Sequence, residues 1–384
     1  MMPWGWLRGP CLAACLCMMG STANALEPVS FQSIEGWKAD NLVEALQPFR
    51  ESCREVLSGS WAFDRSVRYG GHQDQWREIC SAAEKDLDPR TFFETWFRPY
   101  RVVDAAGGLF TGYFEPQVEA SLHPDNRFSI PIYRKPADLV AFELAGKRAL
   151  GMDYGRLVNG QPQPYYSRKE IENGALSGRG LELAYVATWA DAFFMQIQGA
   201  GRLHLKDGSV LRLGYAAKSG RPYTSIGSLL AEAGVIPREK LSMQRIRLWM
   251  EENPEAARHL MWRNESFVFF RKLEISSPEL GPIGAGRVHL TPERSLAVDR
   301  SIWMFGTPVW LDTQTPVQDG LGSSRFRKLM IAQDTGSAIR GMARGDVFWG
   351  HGPDAAYAAG HMKSSGLMIV LLPNRLADDL GLPP

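Results

Sequence analysis

Beyond about residue 105 the chain is written in short apolar runs broken every few residues by Gly, Pro or Asp, a texture that limits it to a β-rich architecture. Leu203 and Leu205 alternate with polar neighbours, Asp207-Gly208 supplies a turn, and Leu211 and Leu213 resume the pattern, which predicts a hairpin. Phe193–Gly199 also alternates, with Met195 and Ile197 opposite Gln196 and Gln198, and so predicts a strand. Two helices are expected after the hairpin, one opening at Ser225 and ending at Gly234, the other across 242–251. Leu296–Val298, Val309–Leu311, Leu329–Ala332 and Leu367–Leu372 then read as short strands whose spacing suggests a closed barrel. Gly199–Leu205 is echoed at Gly284–Leu290, which reads as a shared turn-into-strand recipe because neither flank repeats.

Residues 39–100 have a different period. Leu42, Ala45, Leu46, Phe49, Cys53 and Val56 recur every 3.6 residues, with Pro48 expected to kink the helix. Trp76, Ile79, Cys80, Ala83 and Leu87 repeat the pattern, and Phe92, Phe93, Trp96 and Phe97 make a third cluster. Cys53 and Cys80 therefore lie on the buried faces of consecutive helices, and the sequence leaves open whether they form a disulfide or two buried thiols.

The N-terminus is set apart from both regions. Arg8 is its only charge before Glu27, an apolar stretch follows across Cys11–Met19, and Ala23-Asn24-Ala25 has the form of a cleavage site. This predicts a signal peptide over 1–25 and export, because the apolar run is too short to cross a bilayer. Leu12-Ala13-Ala14-Cys15 also has the form of a lipoprotein processing site, which would place a lipid on Cys15 and attach the protein to a membrane. The few apolar residues before Cys15 favour cleavage after Ala25. Three of the five cysteines leave with this leader, and the remaining pair suits an oxidising compartment. Lys+Arg is 43 against 42 Asp+Glu, so the basic surplus that marks a nucleic-acid binder is missing.

Residues 332–352 are the densest stretch for chemistry. They hold five glycines, Trp349 and two carboxylates, Asp334 and Asp346. Glycine at this density brings backbone close to a ligand or to itself. Asp334-Thr335-Gly336-Ser337 resembles half of an aspartic protease site, but no second copy exists to share the proton. His351 and His361 have no Cys or acidic partner at ligand spacing, so no metal site and no cofactor is expected. No Gly-x-Ser-x-Gly elbow is present either.

Asp299–Ile302, Asp334–Ile339, Gly345–Gly350 and Ala359-Gly360 together resemble the membrane-bound lytic murein transglycosylase A family. Upstream blocks follow in the same order: Phe110–Phe114, Pro131–Tyr133, Gln196–Gly201, Gly214–Ala217, Tyr223–Gly227, Ser242–Gln244 and Asn264–Phe270. The resemblance covers roughly residues 108–373.

The resemblance implies a mainly β protein with N-terminal helices, in which a double-psi β-barrel domain is interrupted by a second β-rich domain. The barrel with its helices would take 26–113 and 276–384, and the insert 114–275, with a substrate groove between them. Asp346 would be the catalytic acid, with Asp334 and Asp299 as supporting carboxylates. Thr111, Tyr113, Gln196, Gln198, Gly199 and Ser225 would line the groove. The partner would be the glycan strand of peptidoglycan, in the periplasm, free or attached to the outer membrane, with cell-wall synthesis or division complexes as further partners. Most glycosidases need two carboxylates, whereas this chemistry needs one: an acid for the glycosidic oxygen that then becomes the base for the muramoyl C6 hydroxyl. Asp334 is expected to push the Asp346 pKa up, and Arg344 to push it down. A non-catalytic glycan-binding barrel and a hydrolytic muramidase are the alternatives.

Overall fold

A computed structural model describes residues 25–59, 67–85, 88–142, 150–275, 277–318 and 322–384. The leader up to Asn24, with Cys15, lies outside the described residues. Among those described, no helix is long and apolar enough to cross a membrane.

The expected helices are α1 (Leu42–Ser58), α2 (Gln73–Ala83) and α3 (Pro89–Trp96). α1 buries Leu42, Ala45, Leu46, Phe49, Cys53 and Val56, the predicted stripe, and it runs on through Pro48. The Pro48 carbonyl accepts from Gln333 Nε2 at 2.8 Å and from Ser52 Oγ at 3.1 Å. α3 begins where Asp88 accepts from the Thr91 N–H at 2.8 Å and Pro89 fills the first turn. Phe49, Phe92, Phe93 and Phe97 meet at centroid separations of 5.2–6.2 Å. The two cysteines are joined as a Cys53–Cys80 disulfide with 5.1 Å between Cα atoms, which fastens α1 to α2.

Strands β1 (Leu26–Pro28), β2 (Phe97–Val102) and β3 (Gly108–Glu115) precede a second group, β4 (Gln117–Ser121), β5 (Ile130–Tyr133), β6 (Val140–Ala141), β7 (Tyr154–Val158), β8 (Gln161–Gln163), β9 (Glu182–Val186), β10 (Ala200–Leu205), β11 (Val210–Lys218) and β12 (Val268–Lys272). The chain then returns through β13 (Ser295–Val298), β14 (Pro308–Pro316), β15 (Ser323–Asp334), β16 (Arg344–His351) and β17 (Lys363–Pro373). Hydrogen bonding runs β17-β14-β15-β13-β16-β3 and back to β17, so six strands close a barrel, the class the sequence texture suggested. β13 with β15 and β16 with β3 are parallel pairs, and the remaining seams are antiparallel. The helices pack on one flank, sharing a core with Trp310, Leu329, Ile331 and Leu371.

Six strands of the second group make a sheet in the order β12-β11-β10-β4-β9-β5, and β6, β7 and β8 make a separate three-stranded one. The predicted hairpin is present, with Gly208 at a φ of 84° in the β10–β11 turn. Phe193–Gly199, however, is not a strand. It is the end of helix α4 (Trp189–Gln198), capped by Thr188 at its start and by Gly199 at a φ of 77° at its end. Helices α5 (Ile226–Glu232) and α6 (Met243–Glu252) sit where expected, each with a serine cap, and α7 (Pro254–Trp262) follows unforeseen. The echoed motif at 284–290 does not make a strand like its counterpart, only an isolated bridge between Ile283 and His289.

Barrel and insert are fastened at the end of β3. Glu115 is fully buried and accepts from Arg202 Nε at 2.8 Å and from Arg212 Nε and Nη2 at 2.8 and 2.7 Å. Gln198 Oε1 adds a bond from the Phe114 N–H at 3.1 Å.

Candidate active site

Cross-strand register gathers the carboxylates. Asp334 pairs with Ala297 past a one-residue bulge, Ala297 pairs with Asp346, and Asp346 pairs with Thr111. One row thus crosses β15, β13, β16 and β3. With neighbouring strands about 4.8 Å apart, the two aspartate Cα atoms are roughly 10 Å from each other. Ala297 between them is buried with Tyr113, Ile339 and Phe348, so the floor beneath the row is apolar. Gly112 keeps the backbone thin behind it: a Cβ there would fall 2.5 Å from Trp349 Nε1 and 2.8 Å from the Ala359 Cα. That contact lets α8 (Pro353–His361) lie against β3. Trp349 packs on Phe326 at 5.6 Å and lies partly buried against the core.

Thr111 donates its hydroxyl to Asp346 Oδ1. Arg344 Nη2 donates to Thr111 Oγ1 at 2.7 Å, and its Nη1 faces the carbonyls of Leu109 and Gly345. A guanidinium can only donate. The Thr111 oxygen must therefore accept from Arg344, which commits its own proton to Asp346 Oδ1. Oδ2, without a hydrogen-bond partner among the described residues, is left as the oxygen able to carry a proton. Burial raises the Asp346 pKa above the ordinary carboxylate range, against the opposing pull of Arg344 and the Thr111 hydrogen bond. The lift comes from burial, whereas the sequence pointed to Asp334.

Asp334 is held as an acceptor. Its Oδ1 takes the N–H groups of Ala285 and Thr335, each at 2.9 Å, and its Oδ2 takes the Tyr113 hydroxyl at 3.0 Å. Burial raises its pKa too, and the charge of Asp346 adds to that, outweighing the three donors. Burial and the negative charges of Asp334 and Asp346 push the Tyr113 phenol well above its usual value, so it stays protonated.

The opposing wall comes from the insert. Tyr223, 41% exposed, has its phenol pKa raised by burial and by the charge of Asp346. Lys218 Nζ reaches Ser337 Oγ at 3.1 Å, joining the end of β11 to the segment after Asp334.

The other expected residues take structural positions. Burial would raise Asp299, but hydrogen bonds from Ser301 and the Gly341 N–H, with the Arg340 charge, outweigh it and hold the carboxyl below its ordinary value. Asp299 thus fixes the turn after β13. Gln196 and Gln198 do not share a strand face, since two helical positions point about 200° apart. Gln196 is buried and accepts from Arg168 Nη2 at 2.7 Å. Gly199 terminates α4, and Ser225 caps α5 by accepting from the Ser228 N–H at 3.2 Å. Sequence reasoning weighed Arg344 only as a nearby charge and did not single out Lys218. The spacing of Arg344 and Asp346, two apart on a strand, was a usable signal that their side chains share a face.

Known proteins carry the same architecture. Residues 109–271 match the family described as the MltA specific insert domain, and residues 294–372 match the 3D domain. A membrane-bound lytic murein transglycosylase A from Vibrio cholerae is 37% identical over 261 residues, covering 67% of this chain and 63% of that protein. The matched region thus spans less than two thirds of that curated relative. The crystal structure of a membrane-bound lytic murein transglycosylase from Agrobacterium tumefaciens superposes with a TM-score of 0.83 at 33% identity, covering 92% of this chain and 99% of that one. Escherichia coli MltA with bound chitohexaose gives a TM-score of 0.64 at 28% identity, with 91% of each chain covered.

Proposed function

This chain belongs to the membrane-bound lytic murein transglycosylase A family, and we propose that it cleaves peptidoglycan glycan strands without consuming water. Asp346 carries the reading: a half-buried carboxyl with one oxygen fixed by Thr111 and the other available to hold a proton. The glycan lies between the barrel row and the Tyr223–Lys218 wall. Asp346 Oδ2 protonates the oxygen linking N-acetylmuramic acid C1 to N-acetylglucosamine. The C1–O bond breaks, and the new carboxylate takes the proton of the muramoyl C6 hydroxyl as O6 bonds to C1. The proton returns to Asp346, and a 1,6-anhydro end is left.

Asp334 supports this single-carboxylate chemistry. Three donors occupy it, so it is poorly placed to activate water but well placed to oppose the positive charge that develops at C1. Thr111, Tyr113 and Tyr223 form the groove lining in this reading, and Gln198 and Asp299 hold its walls in place. We take 26–113 with 276–384 as the catalytic unit and 114–275 as the insert, a division supported by the two strand groups. Export to the periplasm, with or without a lipid at Cys15, is part of the same proposal, and the Cys53–Cys80 disulfide supports an oxidising compartment. The chitohexaose held by the E. coli relative supports a β-1,4-linked glycan as ligand.

Digestion of purified peptidoglycan followed by mass spectrometry tests the reading. The expected products are anhydro-muropeptides, one water lighter than hydrolysis products, and Asp346→Asn abolishes them. Reducing-end products alone, or full activity in the Asn variant, would overturn it.

A further inference from the structure

Two blocks of the sequence, Ser242–Gln244 and Ala359-Gly360, have no part in the cleavage step, yet the fold brings them together. Gln244 lies in the first turn of α6, in the insert, and Gly360 in the last turn of α8, on the barrel. Gln244 Nε2 donates to the Ala356 carbonyl at 2.8 Å. A helical side chain leans toward the N-terminus over the turn before it, so a side chain at 360 would shield that carbonyl. Gly360 leaves it open: a Cβ there would fall 2.3 Å from Gln244 Oε1 and 2.5 Å from Nε2. Met243 packs beside this contact on Phe114, Ala355 and Ala359.

Each of the two helices is tied to one wall of the groove. On the barrel side, α8 lies against β3, where a Cβ on Gly112 would come 2.8 Å from the Ala359 Cα, one residue from Thr111. On the insert side, Ile246 and Met250 of α6 share a core with Ile226 and Leu230 of α5, which begins just after Tyr223. A Cβ on Gly227 would come 3.1 Å from Ile246 Cδ1, so α5 and α6 are close-packed. The route from Thr111 to Tyr223 thus passes through the contact of Gln244 with α8. That contact suits placement more than strength. Gln244 gains one hydrogen bond, but its Oε1 is buried with no hydrogen-bond partner among the described residues. A buried acceptor left unpaired offsets most of what one hydrogen bond contributes. Glycine within a helix also weakens it relative to alanine. The Glu115 clamp meanwhile supplies a charged attachment between barrel and insert.

We propose that Gln244 and Gly360 are positioning residues that set the spacing of the two groove walls, through α6 and α5 on one side and α8 and β3 on the other. The proposal rests on the reading of the groove as a glycan site. Asp346, Thr111 and Arg344 keep their mutual hydrogen bonds within the barrel, so the spacing acts on how the glycan is held and not on the proton of the acid.

A double-mutant cycle tests this with two readouts, chitohexaose binding by calorimetry and kcat/KM on peptidoglycan. Gly360→Ala forces the Gln244 amide off the Ala356 carbonyl, and Gln244→Ala removes the amide. Each is expected to weaken chitohexaose binding and to lower kcat/KM by about tenfold, mainly through KM. The double substitution should cost no more than either single one, since all three lose the same contact. The alkaline limb of kcat/KM and the thermal midpoint should stay where they are in the parent. Unchanged binding in both single variants, or losses that add in the double one, would overturn the proposal. A lowered thermal midpoint accompanying the loss would show a structural role and overturn it as well, as would a shifted alkaline limb. If no anhydro products form, the cleavage reading fails, and the chitohexaose cycle still decides the positioning role.

Discussion

Arg344 and Asp346 share one face of β16, where the guanidinium hydrogen-bonds Thr111 and not the carboxylate, while its charge still acts on the acid. Replacing Arg344 by Met removes a charge that lowers the Asp346 pKa and frees the Thr111 hydroxyl from its fixed direction. In the proposed reaction cleavage starts from protonated Asp346, so activity is expected to fall as pH rises through its pKa. Arg344→Met should therefore move the alkaline limb of kcat/KM to higher pH while lowering kcat on the order of 10- to 100-fold through lost orientation. An unchanged or acid-shifted limb would count against this effect of the Arg344 charge. Both aspartates were visible in the sequence as carboxylates framing a glycine-rich stretch. Their assignment to one row was not, because register with Ala297 is decided by strands far apart in the chain.

β3 does two jobs along eight residues, presenting Thr111 to the row and ending in Glu115, which clamps Arg202 of β10 and Arg212 of β11. Glu115→Gln would leave two buried guanidinium groups without their counter-ion, a loss of about 3–5 kcal/mol visible in thermal or denaturant unfolding. Glu27→Gln, which breaks the exposed pair with Arg101, serves as the control and should cost under about 1 kcal/mol. Comparable losses in the two variants would refute the clamp. Helix α4 shows where element reading failed. Met195-Gln196-Ile197-Gln198 alternates over too few residues to separate a strand from a helix, and α4 is buried on most sides, which erases the usual polar face. Thr188, Asp191 and Gly199 carried the opposite message, as a cap, a first-turn acid and a helix-ending glycine. Pro254 likewise stands in the first turn of α7 and went unread. The Ser225 and Ser242 starts were legible because the cap lies immediately before an apolar period.

Across the whole molecule, the flank of helices is locked by one covalent link. Removing it with Cys53→Ala and Cys80→Ala reopens a loop spanning 27 positions in the unfolded chain. Chain-entropy arguments give a loss of about 3–4 kcal/mol, measurable as a lower denaturant midpoint, with catalytic constants unchanged while the protein stays folded. A midpoint equal to that of the parent would sink this assignment. The helical faces bearing the two cysteines were plain in the sequence, whereas their 5.1 Å approach depends on how α1 and α2 cross.

The ring of six strands closes where residues 108–111 of β3 meet 363–366 of β17. The two strands of this seam are thus separated by about two thirds of the chain, and the barrel row around the acid is not closed until both are present. If the proposed glycan cleavage needs the closed barrel, a polypeptide still emerging from the ribosome or a translocation channel lacks the seam that completes it. A fragment ending before residue 363 is therefore expected to be inactive in a peptidoglycan digest, without a separate inhibitor.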